Sequence, residues 1–473
     1  MDSLNIAQDL SEPTVKNIRR SIVGINTKVP LLNGTSCEYI YFDNAASTPP
    51  LKEVMEAVNN FAPWYSSVHR GSGFKSKVAT EAYEQARNTV LDFFGANNDD
   101  HVAIFGKNTT EAINKLSYRL ALTQKDVVLV GTTEHHSNDL PWRRTAEVHH
   151  IRVDNQGCLI EASLDDLLRK FKGRVKLVAI TGGSNVTGYV PDIHELAKRA
   201  HAAGAYILVD CAQLAGHRKI NIKPLDSDEH LDFVAVSAHK MYAPFGTGAL
   251  IGRRDVFEQG LPELSGGGTV KFVTEDEVEW ADPPERDEAG SPNVIGAVAF
   301  ARALKFLQKV SLQSIAVHEA KLVSYGLSKL KEIKGIKIYG DTNPDNAASR
   351  LGVIAFNLAS IPNGLVAAIL GAEWGIGVRN GCFCSHPYVA SLMGLSPEAV
   401  KRLSNSAAEN DRSSLPGMVR ISFGMYNTKK EVDRLVYALE HIAAGAFEGN
   451  YEQNIQIGEF NPVGWQPVLP KFF

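Results

Sequence analysis

The 473-residue sequence lacks several features that would place a protein in a specialised class. It has no run of eighteen or more apolar residues, and its start, Met1–Asn5, lacks the basic-then-apolar order of a secretory signal. We therefore expect no transmembrane segment and a cytosolic location. The net charge is −4, and lysine and arginine are scattered without a long run, which argues against nucleic acid as a partner.

Cysteine is also scarce. An odd and sparse set of five in a large chain argues against a disulfide framework and favours reduced thiols. What is present is an ordinary globular composition, 44% hydrophobic and 22% charged, at a length that suggests two or three domains. The five cysteines are Cys37, Cys158, Cys211, Cys382 and Cys384.

Between about residues 39 and 300, short apolar runs alternate with helical patterns of ten or more residues. This alternation predicts an α/β domain with a mainly parallel sheet that is covered on both faces. The predicted strands are Val102–Phe105, Val127–Val130, Val175–Thr181, Tyr206–Val209, Phe233–Ser237 and Ala249–Gly252.

A long helical pattern from Ile295 to Leu330 leads into a smaller part of the chain, which we expect to be α+β. Its predicted strands lie near Ile336–Tyr339, Val353–Leu358 and Val419–Ser422. The predicted domains are an N-terminal extension (1–38) with a helix near Pro13–Val23, a large domain (39–300), a small domain (301–445) and a tail (446–473) that packs back on the body.

Lys240 closes the segment Ser237-Ala238-His239-Lys240 at the end of a predicted strand, and Asp210 ends the strand before it. A lysine amine can form a Schiff base with an aldehyde, and a carboxylate can hold a pyridine nitrogen protonated, so that the ring becomes an electron sink. Together the two residues predict a pyridoxal phosphate site. Taken singly, an Asp after an apolar run is about as often a helix cap or a turn residue, and a Lys after His is most often a solvated charge.

The order Asp210-x-x-Gln213 followed by His239-Lys240 resembles the class V aminotransferase family and, within it, the cysteine desulfurases. The resemblance runs from about Tyr39 to Leu439 through nine separated motifs in the same order. It implies a fold-type I pyridoxal phosphate-dependent transferase, with a large domain built on a mainly parallel sheet and a smaller C-terminal α+β domain. It also implies that Lys240 carries the cofactor.

The resemblance assigns further residues to cofactor binding. The segment Phe105–Glu111 joins a strand, a glycine turn and hydroxyls at a helix start, which suits a phosphate cradle. Without the resemblance, the same segment fits a simple capping box with Thr at the cap and no ligand. The implied cofactor-binding residues are Thr109, Thr110, His135, Asn185, Asp210, Gln213, Ser237, His239, Lys240 and Thr269.

In the family, the first His of the segment Glu134-His135-His136 stacks on the pyridine ring, so His135 is also a candidate catalytic residue. His136 is either a supporting or a plain surface residue. Adjacent histidines in a strand point to opposite faces and no cysteine or acidic cluster accompanies them, so we expect no metal site. Thr269, in the glycine-rich run that starts at Gly266, matches the loop by which a neighbouring subunit reaches the phosphate, which implies a homodimer with shared active sites.

The segment Arg379-Asn-Gly-Cys382-Phe383-Cys384-Ser-His386 resembles the loop that carries the persulfide-forming cysteine of desulfurases, with Cys384 at that position. Without the family, a small buried thiol is the simpler interpretation. Arg379 and His386 are the candidate cationic neighbours that would raise its thiolate share. Downstream, Arg420 matches the residue that clamps the substrate carboxylate, a task that suits a guanidinium, and Arg379 is a second candidate substrate contact.

Two features depart from the common desulfurase pattern. Cys382-Phe383 stands where desulfurases carry His-His, and it is nearer to the loop of molybdenum cofactor sulfurases. Residues 385–419 form a longer connection than usual, with Ser404–Ala408 and Asp411–Ser414 expected as a flexible polar loop that either gates the site, meets a partner, or is an ordinary surface loop. The identity of the sulfur acceptor stays open.

The resemblance implies a pyridoxal phosphate-dependent cysteine desulfurase that passes sulfur from L-cysteine to Cys384 as a persulfide and releases L-alanine. A sulfur-acceptor protein is a possible further partner. One alternative is a selenocysteine or cystine-type lyase on the same scaffold, for which Cys384 is not required. A non-catalytic sulfur-carrier scaffold is the other, and the joint presence of Lys240, Asp210, Gln213 and Arg420 argues against it.

Overall fold

A computed structural model describes residues 12–359 and 361–473 of the chain. Residues 1–11 of the predicted N-terminal extension therefore lie outside the described residues, and the helix expected near Pro13–Val23 is present as α1. The α-helices are α1 Glu12–Ser21, α2 Lys52–Phe61, α3 Phe74–Phe93, α4 Thr109–Arg119, α5 Leu140–Thr145, α6 Glu161–Lys170, α7 Ile193–Ala202, α8 Arg254–Phe257, α9 Val294–Val310, α10 Leu312–Lys331, α11 Asn363–Trp374, α12 His386–Met393, α13 Pro397–Ala408 and α14 Lys429–Ala443.

Nineteen strands and five short 3₁₀ segments complete the described secondary structure. The strands are β1 Lys28–Pro30, β2 Ser36–Glu38, β3 Ile40–Tyr41, β4 His101–Gly106, β5 Val127–Gly131, β6 Glu147–Ile151, β7 Val175–Thr181, β8 Tyr206–Asp210, β9 Phe233–Ser237, β10 Gly248–Arg253, β11 Val270–Val273, β12 Val278–Trp280, β13 Ile336–Tyr339, β14 Val353–Leu358, β15 Ile376–Gly377, β16 Arg379–Gly381, β17 Met418–Ser422, β18 Tyr451–Gln453 and β19 Phe460–Pro462. The 3₁₀ segments are Ala62–Trp64, His136–Asn138, Ala238–Lys240, Glu285–Asp287 and Pro344–Ser349.

A seven-stranded sheet forms the centre of the fold, in the order β4-β10-β9-β8-β7-β5-β6. Its strands pair in parallel except β10, which runs antiparallel to both of its neighbours. The inner strands are continuous apolar runs that are buried on both faces, as a covered parallel sheet requires. The predicted α/β class with a mainly parallel sheet is confirmed.

All six strands predicted for this sheet are present, and one strand was missed. β6 lies at the edge of the sheet and has the sequence Glu-Val-His-His-Ile, of which only Ile151 is buried. An edge strand needs no apolar run on both faces, so it carries no strong hydrophobic signal. The three strands expected in the C-terminal part are present as β13, β14 and β17.

A second sheet, in the order β13-β14-β17-β16, packs with α10, α11 and α14 around its own hydrophobic core. The single long helix expected from Ile295 to Leu330 is wrong, because the chain breaks between α9 and α10. Ser311 has a φ of 73° there, and its hydroxyl caps α10 by accepting from the Ser314 N–H. The division into domains at residues 39, 301 and 446 stays a prediction.

The connection 385–419 differs from the expected loop. It contains α12 and α13, so Ser404–Ala408 is helical, whereas Asp411–Ser414 is a turn. Ser396 caps α13 and Pro397 opens it, which is a helix-start signal that the polar composition concealed. The expectation of a flexible polar loop is therefore wrong for Ser404–Ala408.

The tail contacts the body up to its hairpin, β18–β19. The Arg412 N–H donates to the Ile455 carbonyl at 2.9 Å, and the Gln453 side chain donates to the Ser413 carbonyl at 3.2 Å. Beyond the hairpin, side chains such as Phe473 are fully exposed. No helix among the described residues is both long enough and apolar enough to cross a membrane.

Candidate active site

A cavity of about 250 Å³ lies where the carboxyl ends of β5, β7, β8 and β9 face β16 and β17. This is the position at which open parallel sheets bind ligands, because strand ends and helix starts converge there. All the predicted site residues line it except Thr269. They are Thr109, Thr110, His135, Asn185, Asp210, Gln213, Ser237, His239, Lys240, Arg379, Cys384 and Arg420.

Asp210 is the last residue of β8, and Lys240 ends the 3₁₀ segment that follows the neighbouring strand β9. Asp210 is buried, and its Oδ1 accepts from the Ala212 N–H at 2.9 Å. Burial raises the pKa of Asp210, whereas burial lowers the pKa of Lys240 to about 8 against the opposing pull of the Asp210 charge. A fraction of the Lys240 amine is therefore neutral near physiological pH and able to act as a nucleophile or a base.

The start of α4 forms a polar cradle. The Thr109 N–H and hydroxyl both contact the Ser237 hydroxyl, at 2.8 and 2.7 Å, and the Thr110 hydroxyl contacts the Ser137 hydroxyl at 2.6 Å. The helix is capped by Asn108, so the alternative of a capping box with Thr at the cap is wrong. Hydroxyls and N–H groups at the positive end of a helix suit a phosphate.

His135 and His239 enter the same cavity as neutral rings. Burial, with the nearby Lys240 charge, lowers the pKa of each to about 4. The His135 Nδ1 accepts from the Ser137 N–H at 3.1 Å, which fixes the plane of the ring. A neutral imidazole held in this way is able to stack on an aromatic ligand.

Asn185 and Gln213 are anchored to neighbouring loops. The Gln213 Nε2 donates to the Ala45 carbonyl at 2.7 Å, and the Asn185 Nδ2 donates to the Phe383 carbonyl at 2.8 Å. Asn185 thus holds the loop that carries Cys384, a contact that its motif alone did not reveal.

Arg420 lies on β17 and is almost completely buried. It donates to the Asn185 carbonyl at 3.1 Å and forms an ion pair with Asp43 at 2.8 Å, and its guanidinium lies 4.8 Å from the centre of the Phe383 ring. Within the described part of the chain its Nε has no hydrogen-bond partner. A buried, oriented guanidinium suits a small carboxylate ligand.

Neither Asp43 nor Phe383 was predicted as a site residue, although Phe383 lies inside the loop segment Arg379–His386. Asp43 precedes the Asn44-Ala45 turn, and Phe383 separates the two loop cysteines. For Phe383, the signal that could have identified it is its position in a loop motif that already supplied Arg379 and Cys384 as site residues. Arg379 is opposite Arg420 on the neighbouring strand β16 and is exposed at the cavity mouth.

The two cysteines of the loop differ sharply. Cys384 is exposed and lines the cavity, whereas the Cys382 thiol donates to the Pro416 carbonyl at 2.8 Å. Burial raises the pKa of Cys382 to about 11. The interpretation of Cys384 as a buried small side chain is wrong. Desolvation lowers the pKa of His386, which disfavours its charged form, and its role as a cationic neighbour of the thiol stays a prediction.

Thr269 lies outside the cavity, at the end of the glycine-rich run that precedes β11. It is buried, and its hydroxyl donates to the Gly266 carbonyl at 2.8 Å. The adjoining hairpin β11–β12 exposes the apolar side chains of Phe272, Val273 and Val278. A cofactor contact by Thr269 would therefore need a second copy of the chain, and it stays a prediction.

One group of three side chains in the described ranges brings possible metal ligands within 4.8 Å of one another, namely His201, His230 and Asp232. It does not line the cavity. The Asp232 carboxylate pairs with His201 at 2.8 Å, His230 at 3.0 Å and Arg253 at 3.3 Å, and it accepts from the Ile207 N–H at 2.8 Å. We interpret the group as a hydrogen-bonded network, and the expected absence of a metal stays a prediction.

The chain is similar to known proteins over most of its length. Residues 40–435 match the family model described as aminotransferase class-V. A cysteine desulfurase of Haloferax volcanii is 34% identical over 410 residues, which cover 85% of this chain and 88% of the relative. The matched residues span both sheets and the cavity between them.

Two solved structures share the fold. The apo structure of a cysteine desulfurase from Thermococcus onnurineus NA1 has a TM-score of 0.77 and 32% identity, and the similarity covers 91% of this chain and 98% of that chain. The cysteine desulfurase CsdA (S-sulfonic acid) from Escherichia coli has a TM-score of 0.74 and 27% identity, and the similarity covers 92% of this chain and 99% of that chain.

Proposed function

This chain belongs to the class-V aminotransferase family, as its motifs predicted, and we propose that it is a pyridoxal phosphate-dependent cysteine desulfurase. The fold-type I architecture is that of the solved desulfurases. The observation that carries the proposal is the presence of an exposed thiol, Cys384, in the same cavity as Lys240, Asp210 and Arg420.

The residues of the cavity fit pyridoxal 5'-phosphate. A buried carboxylate, Asp210, suits a protonated ring nitrogen, and the hydroxyls of Thr109, Thr110 and Ser237 at the start of α4 suit a phosphate. Lys240 supplies an amine for the cofactor's aldehyde, and His135 supplies a neutral ring for stacking. When bound, the cofactor would act as an electron sink for bonds broken at the α-carbon of the substrate.

The protein's own side chains then divide the work. Arg420 binds the substrate carboxylate through a guanidinium that Asp43 and Asn185 already orient. The Lys240 amine, whose pKa is lowered to about 8, takes a proton from the substrate α-carbon and returns it at a later stage. Cys384 attacks the sulfur of the substrate as a thiolate.

The overall reaction balances without an external oxidant or reductant. The S–C bond of L-cysteine breaks, an S–S bond to Cys384 forms, and the carbon fragment takes up a proton and leaves as L-alanine. The enzyme keeps the sulfur as a persulfide on Cys384 until an acceptor removes it. A thiol that must stay reduced supports the expected cytosolic location.

We also propose that the enzyme is a homodimer with shared active sites. The support is the position of Thr269, outside the cavity of its own chain, beside a hairpin whose apolar side chains are exposed. A sulfur-acceptor protein that takes the persulfide from the exposed Cys384 is the second proposed partner.

The test compares the native enzyme with Cys384→Ser on L-cysteine, L-selenocysteine and L-cystine, with alanine, pyruvate and protein-bound persulfide as the measured products. We expect the variant to keep the yellow cofactor and to bind cysteine, because the other cavity residues are unchanged. Persulfide and alanine from cysteine should both vanish. Full activity of Cys384→Ser on cysteine, or pyruvate as the main product, would instead support a lyase on the same scaffold.

A further inference from the structure

The loop that carries Cys384 holds its backbone in an unfavourable conformation. Phe383 and Cys384 have φ values of 53° and 56°, so two consecutive residues other than glycine occupy the left-handed region. Side chains with a Cβ adopt this region at a cost, and they persist there only when the surrounding contacts compensate for it. The contacts around the loop therefore determine where the Cys384 thiol lies.

Two sets of contacts hold the loop from opposite sides. On one side, the Asn185 Nδ2 donates to the Phe383 carbonyl at 2.8 Å, and the Ser385 hydroxyl donates to the Asn185 Oδ1 at 3.3 Å. On the other side, the His136 N–H donates to the Cys384 carbonyl at 2.8 Å. His136 directly follows His135, the residue expected to stack on the cofactor.

The side chain of His136 adds a second link to the same loop. Its ring lies nearly parallel to that of His386, at 6°, with centroids 4.9 Å apart, and the His386 Nδ1 lies 3.0 Å from the His136 Nε2. The His386 backbone N–H also points at this Nε2, at 3.4 Å. A backbone N–H only donates, so Nε2 is the acceptor and the His386 Nδ1 carries the proton.

The pair has a mixed charged environment. Asp139 lies near the His136 ring and favours its protonation, whereas Arg143 and His386 oppose it. Desolvation is the main influence that lowers the pKa of both rings, which favours their neutral forms. Neither ring lines the cavity, so the pair is placed to act through the loop and not on a ligand.

We propose that His136 and His386 form a clasp that positions the Cys384 thiol relative to the cofactor site. Both are positioning residues, and the clasp joins the turn that carries His135 to the first residue of α12. Without it, the strained loop loses its link to the His136 side chain while its contacts with Asn185, Pro416, Arg420 and the His136 backbone remain, and it relaxes away from the attacking geometry. The catalytic consequence of this inference rests on the proposed function, because it assumes that Cys384 is the nucleophile.

The experiment compares two replacements of His386. His386→Phe keeps a flat ring but removes the hydrogen bond, whereas His386→Asn keeps a nitrogen donor near the position of Nδ1. His149→Phe, on the edge strand β6 and away from the cavity, is the matched control. Cofactor absorbance and circular dichroism establish that each variant is folded and loaded.

Two measurements are needed. In His386→Phe we expect the rate of persulfide formation on cysteine to fall roughly three- to tenfold, the effect of one lost hydrogen bond, with the KM for cysteine unchanged. We also expect faster amide hydrogen exchange in the peptide that contains residues 382–386. His386→Asn should recover most of both properties, and His149→Phe should match the native enzyme.

The outcomes separate the clasp from the proposed function. Native exchange and native rates in His386→Phe would overturn the clasp, and so would a His386→Asn variant as impaired as His386→Phe, which would point to ring packing. If Cys384→Ser still desulfurates cysteine, the proposed function fails. The exchange measurement would still decide whether His386 holds the loop, because it requires no turnover.

Discussion

The two walls of the cavity are built in different ways. The sheet wall, made by Thr109, His135, Asp210 and Lys240, consists of side chains that follow a strand or open a helix. The loop wall, made by Arg379, Phe383, Cys384 and Arg420, joins β16, β17 and a strained turn. The sheet wall takes its geometry from main-chain hydrogen bonds of regular structure, whereas the loop wall depends on individual side-chain contacts.

This difference separates the residues proposed to hold the cofactor from the residues proposed to determine which reaction occurs. The sheet wall has the groups that we propose hold pyridoxal phosphate, namely an amine, a buried carboxylate and a phosphate cradle. The loop wall has the groups that we propose select the reaction, namely the thiol of Cys384 and the guanidinium of Arg420 as a carboxylate clamp. Changes in the sheet wall should therefore abolish all activity, and changes in the loop wall should alter substrate binding or product.

The largest effect is expected for Lys240→Ala in the sheet wall. In the proposed function its amine serves both as the attachment point and as the base, so the yellow colour of the purified protein should vanish and turnover should fall roughly 10³-fold or more. The measurements are the visible absorption spectrum and alanine release. Lys172→Ala, at an exposed position, serves as the control, and near-native turnover by Lys240→Ala would refute the assignment.

Arg420→Ala tests the loop wall. Loss of the carboxylate clamp should weaken cysteine binding by roughly 2–5 kcal/mol, with the cofactor still bound. The change also leaves Asp43 without its ion-pair partner, which by itself lowers the free energy of unfolding. The double variant with Asp43→Asn removes this unpaired charge, so a loss of cysteine binding that persists in it is due to the missing guanidinium. Arg379→Ala, at the exposed cavity mouth, should have a smaller effect on KM, and an unchanged KM in Arg420→Ala would show that Arg420 is not the clamp.

The pH dependence of cofactor binding tests the Lys240 amine of the sheet wall. The Lys240 amine is reactive only when neutral, so the rate at which the apoprotein binds pyridoxal phosphate should rise with pH and level off above about 8. The Asp210 charge raises the pKa of Lys240, and Asp210→Asn should therefore move the midpoint to lower pH. The measurement is the pH dependence of colour formation after mixing. A midpoint near 10.5, the ordinary lysine value, would contradict the desolvation of this amine.

The sheet wall was predictable from the sequence because its residues lie at the ends of regular strands and at helix starts. Strands such as Val175–Thr181 and Phe233–Ser237 are marked by apolar runs, and the residues that end them are adjacent in space because parallel strands end at one edge. The order of strands and helices along the chain is thus enough to place Asp210 and Lys240 together. The edge strand Glu147–Ile151 was missed because one side of it needs no apolar partner.

The loop wall was predictable only in its parts. Cys384 and Arg420 were identified from motifs, but the contacts that orient them join residues far apart in the chain, such as Asn185 with Phe383 and Asp43 with Arg420. No local pattern encodes such pairs. The left-handed turn at Phe383–Cys384 was likewise hidden, because neither residue type favours that conformation.

The smallest effect is expected for Cys382→Ser, which tests whether two thiols two positions apart are equivalent. The Cys382 thiol donates to the Pro416 carbonyl, and its pKa is raised to about 11, so almost none of it is thiolate near neutral pH. A serine hydroxyl can keep the hydrogen bond. We therefore expect the rate of persulfide formation to stay within roughly threefold of the native rate, a smaller change than the loss of one hydrogen bond would cause. Cys382→Ala should lower the free energy of unfolding by about 1 kcal/mol through the lost contact, with the same site of persulfide. Mass spectrometry of the enzyme after brief reaction with cysteine locates the added sulfur. A persulfide on Cys382 would show that the buried thiol reaches the substrate, and the distinction between the two cysteines of the loop wall would then fail.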